Sequence, residues 1–271
     1  MMSTLPYPPA TLVWITFCLF LTGMSKGGLP VGNVALALMI LIWPDESASG
    51  RSTVAFLLPV LCAMDIVALA FYRGHIRWHK LRRVMPGVVA GVALASAVFV
   101  AEHGALVSVS DQALKLCVGT LGLLFLTQRL AQRWILQHLT PNPNPGWIKS
   151  TVYGLAAGIT STLAHLASPV AIMYFIPQRL TKLEFAGTTA GFFFVLNLIK
   201  LVPFGLLGRL QISNMLLAVY MLPVVPLGVG AGYLAVRLLK PRHYLGLIYV
   251  TLFLTSVLLI QRALAGNGPT P

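Results

Sequence analysis

The stretch that decides the fold is TGMSKGGLPVGN at residues 22–33, because it places polar residues in the middle of an apolar segment that spans 10–42. A second apolar segment, 148–177, is broken in the same way by GITSTLAHLASP at residues 158–169. Hydrocarbon offers no hydrogen-bond partners to free backbone groups, so such breaks persist in a membrane only where protein or a wet cavity surrounds them. Two interrupted segments at corresponding positions of two halves are typical of a binding site in a secondary transporter.

The composition places the chain in the membrane class. Of 271 residues, 57% are hydrophobic and only 9% are charged, whereas a soluble domain carries roughly 25% charged residues. We therefore predict an all-α polytopic membrane protein with the lipid bilayer as its surroundings and without a soluble domain. The net charge of +13 does not indicate a nucleic-acid partner, because the basic residues lie mostly in short loops between apolar runs, which is a topology signal.

The loops predict the orientation of the spans. Loop 73–83 carries five basic residues and is expected in the cytoplasm, whereas loop 101–111 carries none and is expected outside. The same reasoning puts both termini outside a bacterial inner membrane. The six continuous spans are predicted at 51–72, 84–101, 112–131, 185–207, 214–236 and 243–263.

The two broken segments are predicted to be re-entrant hairpins. Hairpin 10–42 begins and ends outside, and hairpin 148–177 begins and ends inside. Each half then contains one hairpin, which returns to its own side of the membrane, and three spans. Because three crossings are an odd number, the two halves must have opposite orientations. We predict two inverted repeats, 1–140 and 148–271, joined by a linker at 141–147 that includes the run PNPNP.

Self-alignment at an offset of 135 residues agrees with this arrangement. Gly23 then aligns with Gly158, and Asp65 aligns with Lys200 in the first span after each hairpin. The shared order of break and span is the stronger argument, because a few matches in apolar sequence arise by chance.

The breaks also predict an anion site. Pro30 suits the first turn of a helix, and Ser168 with Pro169 forms a good N-cap and N1 pair. Two half-helices would thus begin near the middle of the membrane, and helix N-termini attract anions. We expect a small anionic substrate to bind at Ser25, Lys26, Gly27, Gly28, Asn33, Ser161, Thr162, His165, Ser168, Asn197 and Lys200.

Several of these residues also have a structural explanation. Lys26 can pair with Asp65 or cap carbonyl groups, and Lys200 can extend its ammonium group towards the outer interface. His165 can be a neutral ring bonded to backbone, and hydroxyl groups in membrane helices usually bond their own helix.

Asp65 is the one carboxylate within a predicted span, so it is either a proton carrier or half of a structural ion pair. Export of an anion is already favoured by roughly 2.3 kcal/mol per charge per 100 mV of membrane potential. We therefore expect a structural role for Asp65 and no obligatory proton coupling. No metal site or cofactor is predicted, since the three cysteines have no metal-ligand spacing. The oligomeric state stays open, a homodimer included.

Other functions remain as alternatives. Residues 23–27 match the hydrolase pattern G-x-S-x-G, which makes an intramembrane serine hydrolase with Ser25 and His165 conceivable, although the strand that normally precedes this motif is missing. An anion channel and a non-transporting scaffold are the further alternatives. We favour a transporter, not an enzyme.

The same residues carry a family resemblance. The segment GMSKGG at 23–28, the segment STLAH at 161–165 with Pro169, and the segments PQRL at 177–180, GTTA at 187–190 and NLIK at 197–200 resemble the TauE/SafE family of probable membrane transporters. The likeness extends over about 10–265. It implies a bacterial inner-membrane carrier of small sulfur-containing anions, such as sulfite or organosulfonates, often working in export. Many members have a longer glycine run in the first turn, where this chain has Ser25-Lys26-Gly27-Gly28.

Overall fold

The chain folds into helices throughout the part that the computed structural model describes. The described residues are 9–29, 49–103, 116, 119–120, 122–124, 126–127, 144–164, 167–206 and 219–264. No strand occurs among them, as the predicted all-α class requires. The helices are α1 (Pro9–Lys26), α2 (Ser49–Tyr72), α3 (Trp78–His103), α4 (Trp147–Ala164), α5 (Ala167–Phe175), α6 (Lys182–Leu206), α7 (Val224–Leu238) and α8 (Pro241–Leu264).

Two of these helices suit a bilayer. Helix α6 and the segment Pro241–Gln261 of α8 are each long and apolar enough to cross a membrane. Many large apolar side chains on the helices are exposed, among them Ile148, Val202 and Leu238. Such a surface is typical of lipid-facing helices, because an exposed apolar area of this kind is disfavoured in water.

The helices group into two compact units, each built from two separate stretches of the chain. Unit 1 contains Met1–Arg77 and Lys182–Pro241, and unit 2 contains Trp78–Thr181 and Arg242–Pro271. Unit 1 therefore holds α1, α2, α6 and α7, whereas unit 2 holds α3, α4, α5 and most of α8. Each predicted half of the sequence contributes helices to both units.

In unit 1, α1 and α7 are in backbone contact through glycines. A Cβ atom added to Gly23 would lie 3.0 Å from the Cα atom of Gly228, and one added to Gly232 would lie 2.9 Å from the Cα atom of Gly27. The residue numbers rise together from the first pair, Gly23 and Gly228, to the second pair, Gly27 and Gly232, so α1 and α7 run parallel. Ile15, with other buried apolar residues, fills the core beside this contact.

In unit 2, α3 and α4 repeat this mode of packing. A Cβ atom on Gly91 would lie 3.1 Å from the Cα atom of Gly158, and one on Gly154 would lie 3.0 Å from the Cα atom of Gly87. These two helices also run parallel. Close approach of this kind requires residues without side chains, as in the small-residue interfaces of membrane helices.

Some helix bounds differ from the predicted spans. The predicted continuous span 214–236 is wrong within its described part, because a turn at Leu222 and Pro223 separates the helical residues 219–221 from α7. Proline has no N–H group to continue the hydrogen bonds of an α-helix. The turn instead contains hydrogen bonds between residues three apart, such as Val225 N to Leu222 O at 3.1 Å. Helix α3 begins at Trp78, before the predicted start at 84. Span 112–131 is described only at its scattered helical residues, and residues 30–42 of the first hairpin lie outside the described part.

A substitution in α7 tests the glycine contact. Gly232→Ala should lower the free energy of unfolding by about 1–3 kcal/mol, the usual cost of overpacking, because the new methyl group meets the backbone of Met24 and Gly27. Gly230→Ala is the matched control, since its methyl group meets only the Phe71 ring at 3.6 Å. Thermal unfolding in detergent should show loss for the first variant and none for the second. Equal stability of the two variants would contradict the packing described above.

Candidate functional site

The predicted break in the first hairpin is present at Lys26, where α1 ends. Gly27 N donates to Gly23 O at 2.8 Å and Gly28 N donates to Ser25 O at 2.9 Å, so the backbone stays bonded as the helix stops. Gly28 has φ +107°, a conformation that side chains with a Cβ atom disfavour. The hydroxyl group of Tyr72 donates to Gly27 O at 2.6 Å and fixes the turn to α2.

Lys26 forms an ion pair with Asp65 beside this turn. Its Nζ atom lies 2.6 Å from Asp65 Oδ1, and the side chains are 11% and 0% exposed respectively. The other carboxylate oxygen of Asp65 accepts a hydrogen bond from Asn197 Nδ2 at 2.7 Å. The ammonium group of Lys26 also lies 4.9 Å from the centroid of the Phe193 ring. One carboxylate thus joins α1, α2 and α6.

Lys200 lies one turn after Asn197 on the same face of α6, and we call Lys26, Asp65 and Lys200 together the charge cluster. Its side chain is fully buried, and its ammonium group lies 5.9 Å from the centroid of the Phe204 ring. The buried ammonium group therefore does not extend to the surface of unit 1, in contrast to the structural explanation for this residue.

Apart from Lys26, the residues of the charge cluster and their neighbours come from one face of α2 and one face of α6. Phe193, Asn197 and Lys200 recur at helical spacing on α6, and Asp65 and Tyr72 recur on α2 at a spacing of two turns. Tyr72 and Phe193 were absent from the sequence-based site. Their spacing from Asp65 and from Asn197 is the signal that could have included them.

The polar residues of the second predicted hairpin belong to unit 2. The hydroxyl group of Thr162 donates to Gly158 O at 2.8 Å, so it bonds its own helix as the structural explanation holds. Ser161 is buried beside it. Ser168 lies inside α5, which already includes Ala167, and the predicted N-cap position of Ser168 is therefore wrong by at least one residue.

Two predicted site residues, Asn33 and His165, lie outside the described residues. The motif around Ser25 has no hydrolase context here, because Ser25 lies within α1 and no strand occurs in the part of the chain that the structure describes. The described residues also contain no group of three or more metal-ligating side chains.

These features define a class: a helical membrane protein with a charge cluster at the end of a broken helix. Residues 13–259 match the family model described as Sulfite exporter TauE/SafE. The chain belongs to the TauE/SafE sulfite exporter family, whose members are membrane transporters. Comparison with curated protein sequences and with solved structures gives no match.

The charge cluster predicts which substitutions lower the free energy of unfolding most. Asp65→Leu should lose about 3–5 kcal/mol of unfolding free energy, the usual cost of breaking a buried ion pair, because it leaves two lysines near each other. Lys26→Met should lose less, since Asp65 keeps Lys200 and Asn197 nearby. The free energies are measured by thermal unfolding in detergent.

Glu184→Gln serves as the control. This change breaks the ion pair with Arg77, whose side chain is 52% exposed, and such pairs contribute at most about 1 kcal/mol. If Lys26→Met were the more damaging of the two buried-site variants, Asp65 would not be the centre of the cluster.

Proposed function

We propose that this protein is a secondary carrier that binds a small sulfur-containing anion, such as sulfite or a sulfonate, and exports it across the bacterial inner membrane. The observation that carries the proposal is the buried cluster of Lys26, Lys200 and Asp65 at the break of α1. An intramembrane charge is costly and is a functional hypothesis by default. Two cations beside one carboxylate suit an anion, because they leave one positive charge to be compensated.

We further propose that the chain consists of two inverted repeats. The contacts of α2 with α6 support this, because Asp65 faces Asn197 while Tyr72 lies close to Gly187, so the two helices run antiparallel. Equivalent helices of inverted repeats must run in opposite directions. Applying the offset of 135 residues to the pair Asp65 and Asn197 gives the pair Lys200 and Cys62, which again lie on α6 and α2.

The glycine contacts support the same proposal. In unit 1, the hairpin helix α1 contacts α7 at Gly23 and Gly228; in unit 2, the hairpin helix α4 contacts α3 at Gly158 and Gly91. Gly23 and Gly158 are equivalent at the offset of 135. In each unit the hairpin of one repeat is thus in contact with the second span of the other repeat. The parallel directions of both pairs agree with the proposed multi-pass topology, with both termini outside.

The transported anion would bind near the turn of the first hairpin, where Ser25, Gly27 and Gly28 lie and which Asn33 follows in the sequence. The residues Ser161, Thr162, His165 and Ser168 of the second predicted hairpin remain a prediction from the sequence. The hydroxyl group of Ser25 is a suitable donor for a sulfur oxyanion, and the two lysines supply the positive charge. The proposal treats the protein as a carrier, not as an enzyme.

Transport by purified protein in liposomes tests this function. Sulfite or methanesulfonate uptake should saturate with concentration, and both Lys26→Met and Lys200→Met should reduce it at least about tenfold, the effect expected of losing one charged contact. Lys149→Met, which removes an exposed lysine, should transport like the wild type. Normal transport by Lys26→Met would disprove the site, and uptake that fails to saturate would indicate a channel.

The paired state of Asp65 leads to a prediction on coupling. A carboxylate held by Lys26 and Asn197 is a poor proton carrier, so we expect anion flux to follow the membrane potential and to need no pH gradient. Flux is measured in liposomes with each gradient imposed separately. A strict proton requirement that disappears in Asp65→Asn would instead make Asp65 the proton carrier.

A further inference from the structure

We propose that Asp65 sets the charge of the anion that this site accepts, favouring singly charged sulfur anions and rejecting doubly charged ones. Sulfonates and hydrogensulfite are then suitable ligands, whereas sulfate and the sulfite dianion are not. This inference rests on the proposed function, because it concerns the selectivity of the same site.

The charges of the described residues carry the argument. The cluster in unit 1 contains two lysines and one aspartate. Lys26 pairs with Asp65 at 2.6 Å, and Lys200 follows Asn197, which bonds Asp65, by one turn on the same face of α6. With all three groups ionised, the cluster holds one net positive charge. Asn197 contributes a hydrogen bond to Asp65 but no charge.

Because the cluster is buried, its net charge determines which anions it can bind. Asp65 and Lys200 are fully buried and the Lys26 side chain is 11% exposed, so little water is available to compensate an excess charge. A singly charged anion brings the cluster to neutrality. A doubly charged anion leaves one negative charge without compensation in a poorly solvated region, which is strongly unfavourable.

The surroundings of the lysines favour the same class of ligand. Phe193 lies against the ammonium group of Lys26 and Phe204 lies near that of Lys200. Leu58 and Cys62 pack with Phe204 in a small apolar cluster. An organosulfonate presents both a charged head and an apolar group, and these neighbours provide contacts for both.

The test compares two tetrahedral anions that differ in charge. Methanesulfonate carries one negative charge at neutral pH and sulfate carries two, while their sulfur centres have the same shape. In liposomes the wild type should move methanesulfonate at least about tenfold faster than sulfate. Asp65→Asn keeps the size of the side chain, adds one net positive charge to the cluster, and should raise the ratio of sulfate to methanesulfonate transport by at least about tenfold.

Glu184→Gln is the matched control, since it makes the same change of acid to amide on α6 outside the charge cluster; its ratio should equal that of the wild type. Anion-dependent thermal shifts of each variant in detergent provide a second measure of binding and show whether the variant is folded.

The outcomes separate this inference from the proposed function. If the wild type moves neither anion nor sulfite, both proposals are overturned. If the wild type moves methanesulfonate and sulfate equally well, or if Asp65→Asn changes both to the same extent, the carrier function stands and the role of Asp65 in selectivity is overturned.

Discussion

Asp65 and the two lysines around it lie where water compensates a charge poorly, so each must find its partner within the protein. The carboxylate meets this constraint by bonding Lys26 at the end of α1 and Asn197 in the middle of α6, while it belongs to α2 itself. Three helices are thereby held in one register. Because a buried charge without its partner is costly, a shift of any of these helices along its neighbours is opposed by electrostatics as well as by packing.

The glycine contacts add the second constraint. Helices in a membrane gain little from burying apolar side chains, because lipid is equally apolar, so they associate where small residues let their backbones meet. The contact of Gly23 with Gly228 brings α1 against α7, and α1 is the helix whose end carries Lys26. Close packing of the hairpin helix thus determines where its last residue lies. The position of the Lys26 ammonium group therefore depends on glycines, which carry no charge.

The sequence predicts the all-α membrane class and the break at Lys26, but it predicts few of the contacts between helices. The polar interruption at Lys26 and the positions of most helices follow from apolar runs and from glycine, since these are local properties. The turn at Pro223 within a predicted span was missed, because proline is tolerated in many membrane helices. The grouping of helices into units was not predictable either, since α1 contacts α7 across some two hundred residues of chain. Lys26 was identified as a possible partner of Asp65, but only the fold shows that Asn197 bonds the same carboxylate.

The discontinuous composition of unit 1 has a consequence for biosynthesis. Residues 1–77 leave the ribosome first, and the remaining helices of their unit, within 182–241, are synthesised only after 78–181. During that interval Lys26 and Asp65 are the members of the charge cluster already made, so their ion pair is the contact available to shield the carboxylate. Asn197 and Lys200 arrive with α6, and the partner of the α1 glycines arrives later with α7. Helix α1 therefore lacks its glycine contact with α7 until the second half of the chain has been synthesised.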